Sequence, residues 1–268
     1  MNSVVTLISL HIILMTFSVQ THAKCKDIES GVLVNSTCTV VETYKSTKLT
    51  ASPTLAIVLH GDSPFWNPSV QYRVAQYLAE KQENVISIGM LRPGYTDDFN
   101  KKSDGERGET VGDNYDDQRV SQVGKSIRAL KKHYNAKKVV VIGHSGGAAI
   151  TAKLSGDFPD LVNHAVVISC PCNINAWRKD MLKRNKYELF SGDLNISSPV
   201  ELAKKVSINT KVDLIVGKDD DITKPYLTKE YYEALQKYGK NVSLHVIKGD
   251  HNIFQNEQVI STMLAAIK

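Results

Sequence analysis

The chain has 268 residues, 42% of them hydrophobic and 23% charged, with a formal net charge of +5. That is ordinary globular composition, which excludes a disordered or fibrous chain and gives length for one large domain or two small ones. The basic excess is modest and scattered in pairs such as Lys131/Lys132, Lys137/Lys138 and Lys204/Lys205, which read as solvated helix or loop ends, so no nucleic-acid partner is expected.

Residues 1–23, MNSVVTLISLHIILMTFSVQTHA, hold no Asp, Glu, Lys or Arg. They run apolar from Val4 to Val19 and end with Thr21 and Ala23 at the small-residue positions a signal peptidase reads. The start lacks Lys or Arg, and His11 interrupts the run. The stretch reads as a cleaved secretory signal, with an uncleaved anchor as the alternative. It is shorter than the roughly 20 residues that span a bilayer, so no stable membrane insertion is expected after cleavage. The mature chain, 24–268, is expected to be a single domain, secreted or periplasmic.

Four cysteines, an even number, permit two disulfides in an exported protein. Cys25 and Cys38 flank the strand-like stretch GVLVNS, where a bridge would tie down the mature N-terminus. Cys170 and Cys172, in CPC, leave three options: a strained short ring, free thiols, or cross pairing with the N-terminal two. No second Cys or His pair stands nearby at ligand spacing, so no metal is expected.

Further along, GVLVNSTCTVVETY (31–44) alternates and is rich in Val and Thr, the pattern of an antiparallel hairpin or edge strands. From residue 54 short apolar runs take over: TLAIVLH (54–60), NVISIGML (84–91), KVVVIG (138–143), HAVVIS (164–169), KVDLIVG (211–217) and VSLHVIKG (242–249). Between them the apolar spacing becomes helical, at Val70, Val74 and Leu78, then Val120, Val123, Ile127 and Leu130, then Val259, Met263 and Ile267. This α/β alternation predicts a mostly parallel, doubly wound sheet with helices on both faces. Such sheets carry their active sites past the carboxyl ends of the strands. Two connections are long: the charged, Gly-rich 96–118, and 173–209 with Trp177 and the basic MLKRNK, which could hold a small cap. Loops as long as 96–118 are usually functional or disordered.

The residues just past the runs are therefore the ones to inspect. They are His60, Gly61 and Asp62; RPGY (92–95); GHSGG (143–147); KDDD (218–221); and Asp250 with His251. In chain order they supply a serine, an acid and a histidine, Ser145, one of Asp219 to Asp221, and His251. A serine hydroxyl becomes a nucleophile only beside a base, and an imidazole serves as that base when a carboxylate holds its tautomer. The order and the placement resemble the α/β-hydrolase family, whose GxSxG nucleophile elbow, acid and histidine follow one another in this way. The resemblance spans about 54–267.

It implies a serine hydrolase working without cofactor, with Ser145 as nucleophile and Asp220 as the acid, three residues past Gly217; Asp219 and Asp221 are alternatives. His251 is the base. Of its rivals, His144 adjoins the serine on a sharp turn, His60 has a structural role, and His245 sits within a strand. Gly143, His144 and Gly147 form the elbow, and His60 with Gly61 the oxyanion loop. The N–H groups of Gly146 and Asp62 form the oxyanion hole, and the acidic side chain of Asp62 has to point away from the anion. RPGY reads as a turn shaping the pocket, or as a plain Pro/Gly turn. The implied substrate is a small-molecule ester or peptide, with carboxylester hydrolysis first. A serine exopeptidase of the proline iminopeptidase or prolyl oligopeptidase kind comes second, and a non-catalytic binding member of the fold third.

Overall fold

A computed structural model describes Cys25 and residues 27–268; the signal expected at 1–23 lies outside the described residues. The chain opens with a hairpin, β1 (Gly31–Val34) and β2 (Thr37–Lys45), in antiparallel register Leu33 to Cys38. Its turn residues, Asn35 and Ser36, both have positive φ, 48° and 63°. Left-handed backbone at both positions gives a turn whose twist matches that of the strands.

The six apolar runs become β3 (Thr54–Leu59), β4 (Val85–Met90), β5 (Lys138–His144), β6 (His164–Ile168), β7 (Lys211–Gly217) and β8 (Asn241–Ile247). The eight strands lie in the order β1-β2-β4-β3-β5-β6-β7-β8. β2 pairs antiparallel with β4, and every pairing from β4 through β3 to β8 is parallel. β3 and β4 are buried along their whole length, as expected of strands covered on both faces. β8, at the edge, is only partly buried.

Alternate residues of β3 face opposite layers. Leu55, Ile57 and Leu59 join a core with α2 (Asp117–His133), α3 (Gly146–Asp157), α4 (Ile174–Asn185) and α6 (Pro225–Lys237). Ala56 and Val58 join a second core on the other face, with α1 (Val70–Lys81) and α7 (Glu257–Ile267). The helical spacings at Val74 and Leu78, at Val120 to Leu130, and at Val259 to Ile267 are the buried stripes of α1, α2 and α7. Among the described residues no helix is long and apolar enough to cross a membrane.

The two long connections pack against each other. The first carries an isolated bridge between Thr96 and Lys102 and a 3-10 turn at Asp113–Tyr115; Asp116 then caps α2 by accepting from the Arg119 N–H. The second holds α4 and the short α5 (Pro199–Leu202), which starts on a capping box of Ser198 and Glu201. Ile174, Trp177, Met181 and Phe190 of this segment belong to the core of the sheet, so it has no separate core of its own. Buried Arg178 joins the two connections, donating to the Val111 carbonyl on one side and to the Ser191 and Gly192 carbonyls on the other.

Cys25 is bonded to Cys38, with Cα atoms 5.9 Å apart. Cys170 is bonded to Cys172, with Cα atoms 5.1 Å apart. The CPC question is thus answered by the short ring, not by free thiols or cross pairing. Both sulfurs are buried just past β6, after Ser169, whose φ is 51°.

Candidate active site

The sharpest local feature lies where β5 turns into α3. Ser145 sits between them with φ 54° and ψ −120°, a left-handed conformation that costs a non-glycine residue on the order of 1–3 kcal/mol. The turn closes only because its neighbours have no side chains. A Cβ on Gly143 would lie 2.2 Å from the Gly147 carbonyl oxygen, and one on Gly147 would lie 2.4 Å from the His60 carbonyl oxygen. The elbow is pinned to the sheet by the Ser145 N–H donating to Ile168 O at 2.9 Å.

The loops after β7 and β8 bring the other two groups to the serine. Ser145 Oγ lies 3.0 Å from His251 Nε2. On the other side of the ring, His251 Nδ1 lies 3.0 Å from Asp220 Oδ2 and 3.1 Å from Oδ1. With Nδ1–H donating to the carboxylate, Nε2 is free to accept the serine hydroxyl. Asp220 also accepts from the Ile222 and Thr223 N–H groups and from the Thr223 hydroxyl. Burial pushes its carboxyl up, but the bonds from His251 and Thr223 outweigh it and hold the group below the usual carboxylate range.

Its neighbours in the DDD run are elsewhere. Asp221 is exposed and accepts from Arg184 at 2.6 Å, and Asp219 faces solvent with its N–H on the Gly249 carbonyl. The rival histidines also separate. His245, on β8, stands 3.8 Å from Asp213. His60 is fully buried in the oxyanion loop; its Nδ1 donates to the Gly61 carbonyl at 2.7 Å and its Nε2 accepts the Arg92 N–H at 3.1 Å. Burial and the adjacent Arg92 charge push His60 far below the usual histidine range, in keeping with this neutral tautomer.

His144 has a task of its own. Its Nε2 donates to the main-chain carbonyl of His251 at 2.8 Å, and its ring stacks on Phe254 with centroids 5.1 Å apart. Burial and the neighbouring His251 bring it down to about 4, so it stays neutral at ordinary pH and keeps that bond. Its place in the elbow marks it in the sequence; its bond to a residue 107 positions away does not.

The side chain of Asp62 lies against the start of α3, held by three donors: Arg92 Nη1 at 2.9 Å, the Tyr95 hydroxyl at 3.3 Å and the Tyr115 hydroxyl. RPGY is more than a turn, because Arg92 is buried to 1% exposure between the rings of Tyr95 and Tyr115. No sequence signal marks Tyr115 or Thr223; hydroxyl residues are too common to stand out. Beside the elbow a cavity of about 260 Å³ is lined by Gly61, Asp62, Ser63, Asn67, Arg73 and His144.

Residues 100–266 match the model of the prolyl oligopeptidase family. Among solved structures, the chain is similar to an esterase of Pyrococcus furiosus (20% identity, TM-score 0.66, covering 89% of this chain and 90% of that one). It is also similar to the Est1E protein of Butyrivibrio proteoclasticus, solved with ferulic acid bound (16% identity, TM-score 0.66, 88% and 98%). A third likeness is to an acylaminoacyl peptidase of Pyrococcus horikoshii (14% identity, TM-score 0.63), covering 87% of this chain but 39% of that one. At these identities the likeness carries the fold. No curated protein sequence matches the chain.

Proposed function

Because this chain belongs to the prolyl oligopeptidase family of serine hydrolases, we propose that it hydrolyses carboxylic esters through an acyl-enzyme on Ser145. The observation that carries this reading is the unbroken line from Ser145 Oγ through His251 to Asp220, each link at 3.0 Å. His251 Nε2 takes the hydroxyl proton as Ser145 Oγ attacks the substrate carbonyl carbon. Asp220 holds the ring in the Nδ1–H tautomer and stabilises the imidazolium that forms. The carbonyl oxygen, now an anion, is received by the peptide N–H groups of Gly146, at the start of α3, and of Asp62. The imidazolium then protonates the departing alkoxide, leaving Ser145 acylated. Water, deprotonated by the same His251, attacks the acyl carbon; the imidazolium then returns that proton to Ser145 Oγ as the acyl–oxygen bond breaks and the acid leaves. No step calls for a metal or cofactor.

Esters rank before peptides because the likeness to the Pyrococcus furiosus esterase runs over 90% of that chain, whereas the acylaminoacyl peptidase likeness covers 39% of its chain. The apolar N-terminal stretch and the bonded Cys25–Cys38 and Cys170–Cys172 pairs support export, with cleavage after Ala23. A fluorophosphonate probe is expected to label the wild type and to leave Ser145→Ala unlabelled. Kinetics on a panel of acyl esters and aminoacyl amides then ranks the substrates: turnover of the amides alone would replace the esterase reading with the exopeptidase one. A folded wild type that neither labels nor turns over either class would make the chain a binding protein. N-terminal sequencing of the exported protein should begin at Lys24.

A further inference from the structure

An acidic residue is a poor neighbour for a developing oxyanion, yet Asp62 stands in that loop with its carboxylate directed at the elbow. A Cβ on Gly146 would lie 2.3 Å from Asp62 Oδ1 and 2.8 Å from Arg92 Nη1. An ion pair is therefore packed against the peptide that opens α3.

Its cationic half is unusually dependent on its partner. Arg92 is 1% exposed, and among the described residues neither its Nε nor its Nη2 has a hydrogen-bond partner. The guanidinium is balanced by Asp62 at 2.9 Å, by the faces of Tyr95 and Tyr115 with centroids 4.9 Å and 5.4 Å away, and by a long contact to the His60 carbonyl at 3.4 Å. If the Asp62 side chain turned away, a buried cation would lose its counter-charge. The hydroxyls of Tyr95 and Tyr115 tie the same carboxylate from two further directions. The peptide of Asp62 is thus anchored through its own side chain.

We propose that Arg92, with Tyr95 and Tyr115, is the positioning and charge-balancing element of the oxyanion hole. It anchors Asp62 so that the peptide N–H is held in place, and it cancels the repulsion between the Asp62 carboxylate and the tetrahedral anion. The proposal rests on the serine-hydrolase mechanism above.

A charge-balancing role has a signature that a purely structural one lacks. Once Arg92 is gone, neutralising Asp62 should restore activity. The test uses the mature wild type with Arg92→Met, Asp62→Asn, the double variant and Tyr115→Phe. Each is assayed for kcat and KM on a p-nitrophenyl ester and for the Ki of a trifluoromethyl ketone that forms a tetrahedral adduct with a serine hydroxyl. Arg92→Met is expected to lower kcat about 100-fold, the scale of a lost oxyanion donor, with KM little changed and ketone affinity falling in proportion. The double variant should recover about tenfold of that loss, because the removed carboxylate no longer repels the anion. A double variant no better than Arg92→Met overturns the proposal, and so does ketone affinity that stays constant while kcat falls. Should Arg92→Met fail to fold, Tyr115→Phe takes its place: a parallel drop of about threefold or more in kcat and ketone affinity supports the proposal, and unchanged values overturn it. A wild type that the fluorophosphonate leaves unlabelled would bring down the mechanism itself, an outcome distinct from either.

Discussion

Among the described residues two histidines are hydrogen-bonded to carboxylates, at opposite ends of the sheet. At the carboxyl end, His251 meets Asp220 at 3.0 Å; toward the amino end, His164 at the start of β6 meets Asp213 of β7 at 2.7 Å. By distance the second pair is the tighter. In each pair burial pushes the carboxyl up, and the histidine together with Thr223 for Asp220 and Lys211 for Asp213 outweighs it, leaving both below the usual range. What separates them is the other side of the ring. Among the described residues, only His251 has a serine hydroxyl on its far nitrogen, and that serine is presented by a left-handed turn. A His–Asp pair is thus a common structural clasp, and a strained elbow beside it makes it a candidate for catalysis.

Substitutions should pull the two pairs apart. The largest effect is expected from Asp220→Asn, which leaves His251 free to take the wrong tautomer and should lower kcat by about 10³–10⁴-fold while the fluorophosphonate still finds Ser145 slowly. Asp213→Asn should leave kcat for the same ester unchanged; a comparable loss there would erase the distinction. Next comes stability. Asp213→Ala removes the acceptor of His164 and an ion-pair partner of Lys211, 3.4 Å away, and should cost about 1–3 kcal/mol, read as a lowered melting temperature.

A smaller effect is the acid response. Because the folded-state pKa of Asp213 is depressed, its contribution to stability is present above the unfolded-state value of about 4 and is lost as pH falls through the folded value. Asp213→Asn should therefore flatten the decline of stability below about pH 4 in denaturant titrations at stepped pH. The smallest effect belongs to Asp221→Ala, which breaks only the exposed pair with Arg184. A shift under about 1 kcal/mol is expected, with kcat retained; a large fall in kcat would move the acid away from Asp220.

The strands and the order of the site residues were legible because both rest on short-range signals. Continuous Val/Ile runs mark strands buried on two faces, and the polar residues just past them need no tertiary knowledge to find. The family resemblance favours Asp220, three residues past Gly217, over its neighbours, and the structure puts it alone of the three beside His251. What stayed hidden is what folding brings from afar. Nothing near RPGY announces that Arg92 is buried between Tyr95 and Tyr115, because Tyr115 lies in a loop whose path no periodicity describes. The CPC ring was undecided for a similar reason: it depends on the backbone after β6 and not on the cysteine count. The sequence shows His164 and Asp213 only as parts of strands, since a polar residue near a strand start has many uses.

The close approach of Gly147 to the carbonyl oxygens of Leu59 and His60, where a Cβ would lie 2.6 Å and 2.4 Å away, has a consequence for tolerance. The serine turn and the end of β3 share one datum, a backbone-to-backbone surface with no side chain in between. Distances across it follow from covalent bond lengths and strand spacing, so rotamer fluctuations, which blur most constellations of side chains, do not enter them. A substitution elsewhere that shifts β3 and β5 as a unit would carry nucleophile and anion donors along together, and the part of the molecule least able to vary in sequence would be the part whose geometry varies least.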